Sequence, residues 1–372
     1  MDKQSLKEFF TGKKVLITGH TGFKGSWLSQ ILLNFGAEMV GIALEPNTKP
    51  NLFSILGLND SMKNYFVDIR DFNKIKEVVK RERPEIIFHL AAQPIVRESY
   101  DNPLYTYETN IIGTANVLQA IKETTSVKSA VIITTDKVYE NKEWVWPYRE
   151  VDTIGSNPDP YSTSKACAEL VIQSYLKSFF NIENYNKTHK CLIASARAGN
   201  VIGGGDWAND RLVPDIIKNI FERNENIIIR NPESIRPWQH VLEPLIGYLM
   251  LSKELYQGNK NFVGAWNFAP NEDNHITVKE LIRKAISILE KGNYSIQMDN
   301  KKHEVKLLRL DSTKSKIYLH WKPVLSIDEV LDWTFEWYKN YYSNKNMLNF
   351  TKEQIETFFN KVELCQKLKK KY

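Results

Sequence analysis

The sequence predicts an α/β protein: a Rossmann-type, doubly wound parallel sheet with a smaller, interleaved C-terminal lobe. Two observations predict it. Up to residue 200, short continuous apolar runs alternate with stretches of helical spacing, the pattern of strands buried on both faces by helices. Beyond Gly203-Gly204-Gly205 the rhythm breaks into shorter pieces.

In order, Val15-Leu16-Ile17-Thr18 is a buried strand, followed by a glycine-rich turn and a helix that ends near Phe35, with Gly36 as its C-terminal cap. Residues 39–44 and 65–67 are the next strands, and 72–83 have helical spacing. Residues 86–92 form a fourth strand and 103–122 one long helix. A strand over 130–135, a helix over 161–180 and a strand over 191–196 complete the first half. The second half carries helices over 213–223, 241–255, 277–290 and 327–341, with strands at 226–230 and 266–268. Residues 351–369 read as a terminal amphipathic helix whose basic end is a solvated tail.

The net charge is +6, from 50 Lys and Arg against 44 Asp and Glu, and five Lys and one Glu within 361–372 supply +4 of it. The body is therefore nearly neutral, which argues against a nucleic-acid partner. Cys167, Cys191 and Cys365 are isolated, without zinc-ligand spacing, and suit a reducing compartment. The apolar runs fall far below the roughly 18 residues of a membrane span. The first eleven residues are polar, without the apolar stretch of a leader. A soluble cytoplasmic protein is expected, with no membrane and no metal: His89 and His240 have no second ligand at i+4.

Gly19, Gly22 and Gly25 form G-x-x-G-x-x-G between the first strand and the first long helix. The first lets the chain turn, the second lets backbone approach a pyrophosphate, and the third lets helix and strand pack closely. The helix N-terminus then turns its N–H groups toward the anion, which predicts a bound dinucleotide. Glu45 stands where an acidic residue would grip the ribose of NAD, but it also suits solvent; Lys24, inside the turn, could instead draw the 2′-phosphate of NADP. Asp68 is placed for the adenine side or as a helix N-cap.

Tyr161 and Lys165 are i and i+4 on the helix that Pro160 opens, so both share a face. An ammonium near the phenol lowers its pKa, and a phenolate beside a nicotinamide can take an alcohol proton while hydride leaves carbon.

With these residues in place, the chain resembles the extended short-chain dehydrogenase/reductase superfamily over about residues 12–340, in Thr18–Gly25, Leu90-Ala91-Ala92-Gln93, Thr109-Asn110, Tyr161-x-x-x-Lys165 and Arg236-Pro237-Trp238. Within it, the chain is similar to the sugar-nucleotide 4,6-dehydratases, and to their CDP-glucose branch in Asp136–Trp144, Ala198–Trp207 and Arg236–Val241. The telling phrase is Thr135-Asp136-Lys137, where the dTDP-glucose branch carries Thr-Asp-Glu.

The resemblance implies a lyase that uses NAD, less readily NADP, without net consumption, in deoxysugar and surface-polysaccharide biosynthesis. Tyr161, Lys165 and Thr135 would oxidise the sugar at C4. Asp136 would protonate the departing 6-hydroxyl. Lys137 would be the C5 base or only an electrostatic aid. Cofactor contacts would come from Gly19, Thr21, Gly22, Phe23, Lys24, Gly25, Asp68, Ile69, Leu90, Ala91, Ala92 and Thr134, with Tyr161 and Lys165. Arg236 would fork the substrate pyrophosphate, with Asn200, Gln93, His240 and, more weakly, Arg197 and Arg211; Arg197 equally suits a core donor. Trp144, Trp146 and Trp207 could stack on a base or simply pack. The domains would be residues 1–200 with 237–270 for NAD, 201–236 and 271–345 for the nucleotide sugar, and 346–372 as a helical basic tail. A homodimer or homotetramer is expected, by analogy through the helices at Pro103 and Tyr161. A 4-epimerase, or a dehydratase for another nucleotide sugar, fits most of the same phrases, as does a non-catalytic NAD(P)-sensing regulator. Asp136-Lys137 speaks for dehydration, and the retained Tyr161 and Lys165 speak against the regulator.

Overall fold

The computed structural model describes residues 3–155, 157–297 and 308–369, with side chains to residue 365. Seven parallel strands form the central sheet: β1 (Lys14–Thr18), β2 (Glu38–Ala43), β3 (Lys63–Phe66), β4 (Ile86–His89), β5 (Ser129–Ile133), β6 (Leu192–Ala198) and β7 (Gly264–Phe268). Their spatial order is 7-6-5-4-1-2-3, so the chain reverses direction at β1. A ligand crevice belongs at that switch point, beyond the carboxyl ends of the strands.

Period-two alternation divides the strand side chains between the two faces. Val15, Ile17, Ile86, Phe88, Val131 and Ile133 join the core under the second-half helices; Leu16, Ile87, Ala130 and Ile132 join the core on the opposite face. The helices used below are α1 (Lys3–Phe10), α2 (Phe23–Asn34), α3 (Phe72–Glu82), α4 (Gly113–Lys122), α5 (Pro160–Ser178), α6 (Leu242–Tyr256), α7 (Val278–Leu289), α8 (Ile327–Tyr342) and α9 (Met347–Lys369). Beyond β6, three two-stranded pairings build the smaller lobe: Val201–Ile202 with Gln239–His240, Ile235–Pro237 with His275–Thr277, and Ile227–Ile229 with Tyr294–Ile296.

Three elements differ from expectation. The polar N-terminus contains α1, which buries Leu6 and Phe10, an i, i+4 pair, and sets Phe9 edge-on to Tyr256 of α6 at 5.1 Å. The single helix expected over 103–122 runs on without a gap but carries a π-helical turn at Glu108–Ile112, between Pro103–Tyr107 and α4. The extra residue in that turn accompanies the buried Asn110, whose side chain bonds outside its own helix. The terminal helix is docked and longer than expected: Phe358 and Phe359 are fully buried, Phe359 lies 5.6 Å from Phe35, and Glu356 pairs with Lys3. Val362 is buried with them, whereas Leu364 is exposed.

Candidate active site

The glycine turn is shaped by close approach. Gly19 has φ +77°, and a Cβ there would lie 2.7 Å from the Ala91 nitrogen; one on Gly25 would lie 2.1 Å from the Gly19 carbonyl oxygen. Thr18 locks the two strands together, its hydroxyl bonded to His89 Nδ1 at 2.6 Å and to Ala91 N–H at 3.2 Å. At the start of α2, Gly22 stands at the N-cap with no side-chain cap, leaving first-turn N–H groups open to an anion. A dinucleotide fits this cradle. Thr21 spends its hydroxyl on the Leu44 carbonyl at 2.9 Å, and Glu45 is exposed beyond the end of β2. Asp68 is not the N-cap of α3, a place Asp71 takes; it holds Arg70 at 2.7 Å. Ile69 is buried against Gly113.

Lys24 lies in the first turn of α2, half-buried. Its ammonium lies within electrostatic reach of Arg211, Asp136, Lys165 and Asp206, and burial pulls its pKa down to about 8.

Tyr161 and Lys165 rise from β5's neighbour α5, which Asp159 caps through the Ser162 N–H at 2.8 Å. The Thr135 hydroxyl lies 2.8 Å from Asp136 Oδ1 and is also hydrogen-bonded to Tyr161. Lys137 Nζ sits 5.9 Å from the centre of the Tyr161 ring. The structure thus brings Thr135, Asp136, Lys137, Tyr161 and Lys165 together. The expected lowering of the phenol by Lys165 is corrected: burial pushes Tyr161 up to about 12, helped by Asp136 and opposed by the Thr135 hydrogen bond and Arg211. Burial also draws Lys165 down to about 8, against the pull of Glu169.

Several expected contacts are committed elsewhere. Arg197 is buried in β6, donating to both Glu169 oxygens at 2.9 and 2.8 Å and to the Tyr139 hydroxyl at 2.7 Å; it is a core donor, not a substrate contact. His240 is also core, lodged edge-on between Trp27 and Trp333, with burial drawing its pKa to about 3. The Gln93 side chain is spent on Thr106 at 2.8 Å and on the Ile95 N–H, so it is a loop brace. The Thr134 hydroxyl is spent on Glu169 at 2.6 Å. Trp207 packs against Trp337, Tyr338 and Tyr341, whereas Trp146 is exposed. Asn200 takes the left-handed conformation, φ +46°, where β6 ends, and its carbonyl receives the Gln239 N–H at 3.2 Å. Arg236 is half-buried on the short strand Ile235–Pro237. Arg211 is ion-paired with Asp206 at 2.8 Å and close enough to Tyr161 to affect its proton.

Three residues in this site were given no role by the sequence argument. Asn110 ties the Gln93 carbonyl, at 3.0 Å, to the Ser164 hydroxyl, at 2.8 Å, on α5. Glu169 follows Tyr161 at i+8 and Lys165 at i+4, spacings that place it on their face. Gly199 leaves room for Asp136, since a Cβ there would fall 2.0 Å from its Oδ2. A hollow of about 440 Å³ lined by Glu150, Asp152, Gln173 and the Glu169–Arg197 pair opens elsewhere and contains neither Thr135 nor Tyr161. Among the described residues, no three His, Cys, Asp or Glu side chains are grouped to hold a metal ion, and no helix is long and apolar enough to cross a membrane.

The model of the GDP-mannose 4,6 dehydratase family matches residues 16–334. The chain belongs to this family. Among its relatives, a CDP-glucose 4,6-dehydratase of Salmonella typhimurium is 46% identical over 95% of this chain and 98% of its own length. A dTDP-glucose 4,6-dehydratase of Shigella flexneri is 26% identical over 87% and 92%. The fold of this 4,6 dehydratase family member is shared with UDP-glucose 4-epimerase of Thermotoga maritima, TM-score 0.74 at 24% identity, covering 88% of this chain and 99% of that one. It is shared equally with the dTDP-glucose 4,6-dehydratase DesIV of Streptomyces venezuelae, solved with NAD, TM-score 0.73 at 21% identity, covering 88% and 97%.

Proposed function

We propose that this protein is an NAD-dependent CDP-glucose 4,6-dehydratase, a hydro-lyase that converts CDP-D-glucose to CDP-4-dehydro-6-deoxy-D-glucose and water. The observation that carries this reading is the placement of Asp136 beside Thr135, with Lys137 over the ring of Tyr161. An epimerase needs no acid at C6. The 46% identity to the Salmonella dehydratase supports the nucleotide and the sugar.

Gly19, Gly22, Gly25 and the open first turn of α2 would hold the NAD pyrophosphate, and Asp68 lies on the adenine side. Held there, NAD would supply the hydride acceptor for C4 and the hydride donor for C6. The influence of Asp136, Lys165, Arg211 and Asp206 on the Lys24 proton supports NAD rather than NADP as the cofactor.

Tyr161 Oη takes the proton of the sugar 4-hydroxyl; Thr135 and Arg211 favour its phenolate against burial and Asp136. The 4-ketone then acidifies the C5 hydrogen, which Lys137 removes while Asp136 protonates the departing 6-hydroxyl. Arg236 and Asn200 hold the substrate pyrophosphate from the smaller lobe, and Arg211 lines the same cleft. Residues 1–200 with 237–270 therefore serve the cofactor, and 201–236 with 271–345 serve the nucleotide sugar.

The protein acts as a homodimer through the helical segments at Pro103 and α5, where Leu104, Ile112 and Leu170 are exposed. The free thiols of Cys167, Cys191 and Cys365 suit the reducing cytoplasm.

Incubation with NAD and CDP-, dTDP-, GDP- or UDP-glucose tests the proposal, by the alkali-dependent absorbance of a 4-keto-6-deoxy product. CDP-glucose should turn over fastest. Faster turnover of another nucleotide, or a 4-epimer without keto product, would overturn it.

A further inference from the structure

Asp136 and Lys137 stand on a single 3₁₀ turn, Asp136–Val138, just beyond β5. Both ends of that turn are anchored. Thr135 caps the front, its hydroxyl accepting the Lys137 N–H at 3.4 Å. Behind it, Tyr139 is fully buried and stacked on Tyr148, ring centres 5.2 Å apart. The Tyr139 hydroxyl donates to Asn267 at 2.8 Å and accepts from Arg197 at 2.7 Å. The middle of the turn is held by Asn157, which is half-buried. Its side-chain Nδ2 donates to the Lys137 and Tyr139 carbonyls at 2.9 and 3.0 Å, and its Oδ1 accepts the Asn141 N–H at 3.4 Å. Turned over, the same amide would set its oxygen against two carbonyl oxygens. Asn157 is in turn tied to α5. The Thr163 hydroxyl donates to its carbonyl at 3.1 Å, and Asp159 caps the helix through the Ser162 N–H. Pro158 and Pro160 stiffen the link between them.

We propose that Asn157 is a positioning residue for Lys137, its amide strapping the backbone of that lysine to the helix that carries Tyr161. This rests on the dehydratase reading above. Tyr161 stands in the first turn of α5, so the bonds from Thr163 through Asn157 to Lys137 join the helix that serves C4 of the sugar to the turn that serves C5. Lys137 Nζ lies 5.9 Å from the centre of the Tyr161 ring, and the strap fixes the backbone from which that reach is measured. Proton removal from carbon is sensitive to a displacement of about 1 Å, which can cost about 10²-fold in rate. The other groups do not depend on the strap in the same way. Asp136 has its own bond, to the Thr135 hydroxyl at 2.8 Å, and Tyr161 is carried by α5 itself. Loss of the Asn157 amide therefore loosens the C5 step and spares oxidation at C4.

The test separates the two steps. The full-length protein, loaded with NAD, is mixed with CDP-glucose in deuterium oxide as wild type, Asn157→Asp, Lys137→Ala and the double variant. Asn157→Asp keeps the size and shape of the side chain but removes its N–H groups. In that variant the rate of cofactor reduction and the steady-state KM should stay within about twofold of wild type, while exchange of the C5 hydrogen slows about 10- to 10²-fold. Added to Lys137→Ala, the same substitution should slow exchange by no more than about twofold, because the lysine it acts through is already gone. Unchanged exchange in Asn157→Asp, equal slowing of both steps, or fully additive losses in the double variant overturns the proposal and leaves the dehydratase reading standing. Wild type that yields no 4-keto-6-deoxy product overturns that reading, and the proposal falls with it. If Asn157→Asp fails to fold, as judged by circular dichroism, Asn157→Ala makes the same comparison, with the same rates deciding it.

Discussion

Asp136 lies so close to Gly199 that a single added methyl group would fall 2.0 Å from its Oδ2. The acid expected to act at C6 is thus positioned by the absence of a side chain on the neighbouring strand's exit. Gly199→Ala should swing the carboxylate away, at little cost to folding because the side chain can rotate. We expect kcat to fall by about 10²-fold, within the range for a displaced acid–base group, and the melting temperature to hold within a few degrees. Wild-type kcat in that variant would remove Asp136 from the reaction.

Asp136→Asn and Lys137→Ala should separate the two halves of the reaction. Oxidation at C4 depends on Tyr161, so a single turnover should still reduce the cofactor. Release of 6-deoxy product should stall, and exchange of the C5 hydrogen with solvent should slow most in Lys137→Ala. Undiminished exchange in that variant would deny the lysine its role as base, whereas equal partial defects in both halves would make it an electrostatic aid.

Arg236→Ala should raise KM for the CDP-sugar by about tenfold or more, and Arg236→Lys should also raise it, since the ammonium keeps the charge but not the planar fork. NAD binding should be untouched in both. Unchanged KM in the two variants would pass the pyrophosphate to Arg211.

Stability should depend on pH through Glu243, which is buried at the start of α6 and accepts the Val324 and Leu325 N–H groups, each at 2.8 Å. Burial raises its pKa from 4.5 to about 8, in spite of those two bonds. The folded protein therefore holds a proton that the unfolded chain releases. Its contribution is complete below about pH 4.5 and is lost as pH rises through about 8. Glu243→Gln should match wild type near pH 4.5 in denaturant melts and exceed it near pH 8, by roughly 2–4 kcal/mol. Parallel pH curves for the two proteins would refute this.

The residues legible in the sequence were those whose chemistry is written in local spacing. G-x-x-G-x-x-G between strand and helix needs only neighbouring residues to state its purpose, and Tyr161 and Lys165 share a helix face by arithmetic. The alternating strands announced the parallel sheet for the same reason. His240 was misplaced, and Arg197 left open between substrate and core, because their partners lie on other elements. Arg197 meets a carboxylate 28 residues away, and His240 is caught between Trp27 and Trp333. A sequence shows that an arginine is present, but not whether another strand or helix has already claimed it. The proton on Tyr161 was misjudged in a related way: Lys165 is visible at i+4, but the burial that dominates it is a property of the whole fold.

The docking of α9 has a consequence for how the molecule is made. Phe359 covers Phe35, and Glu356 reaches Lys3, so α9 seals elements that precede it by hundreds of residues in the chain. The sheet can assemble before α9 is made, but the seam along α2 stays open until α9 docks. An open apolar seam of that kind invites chaperones and aggregation alike.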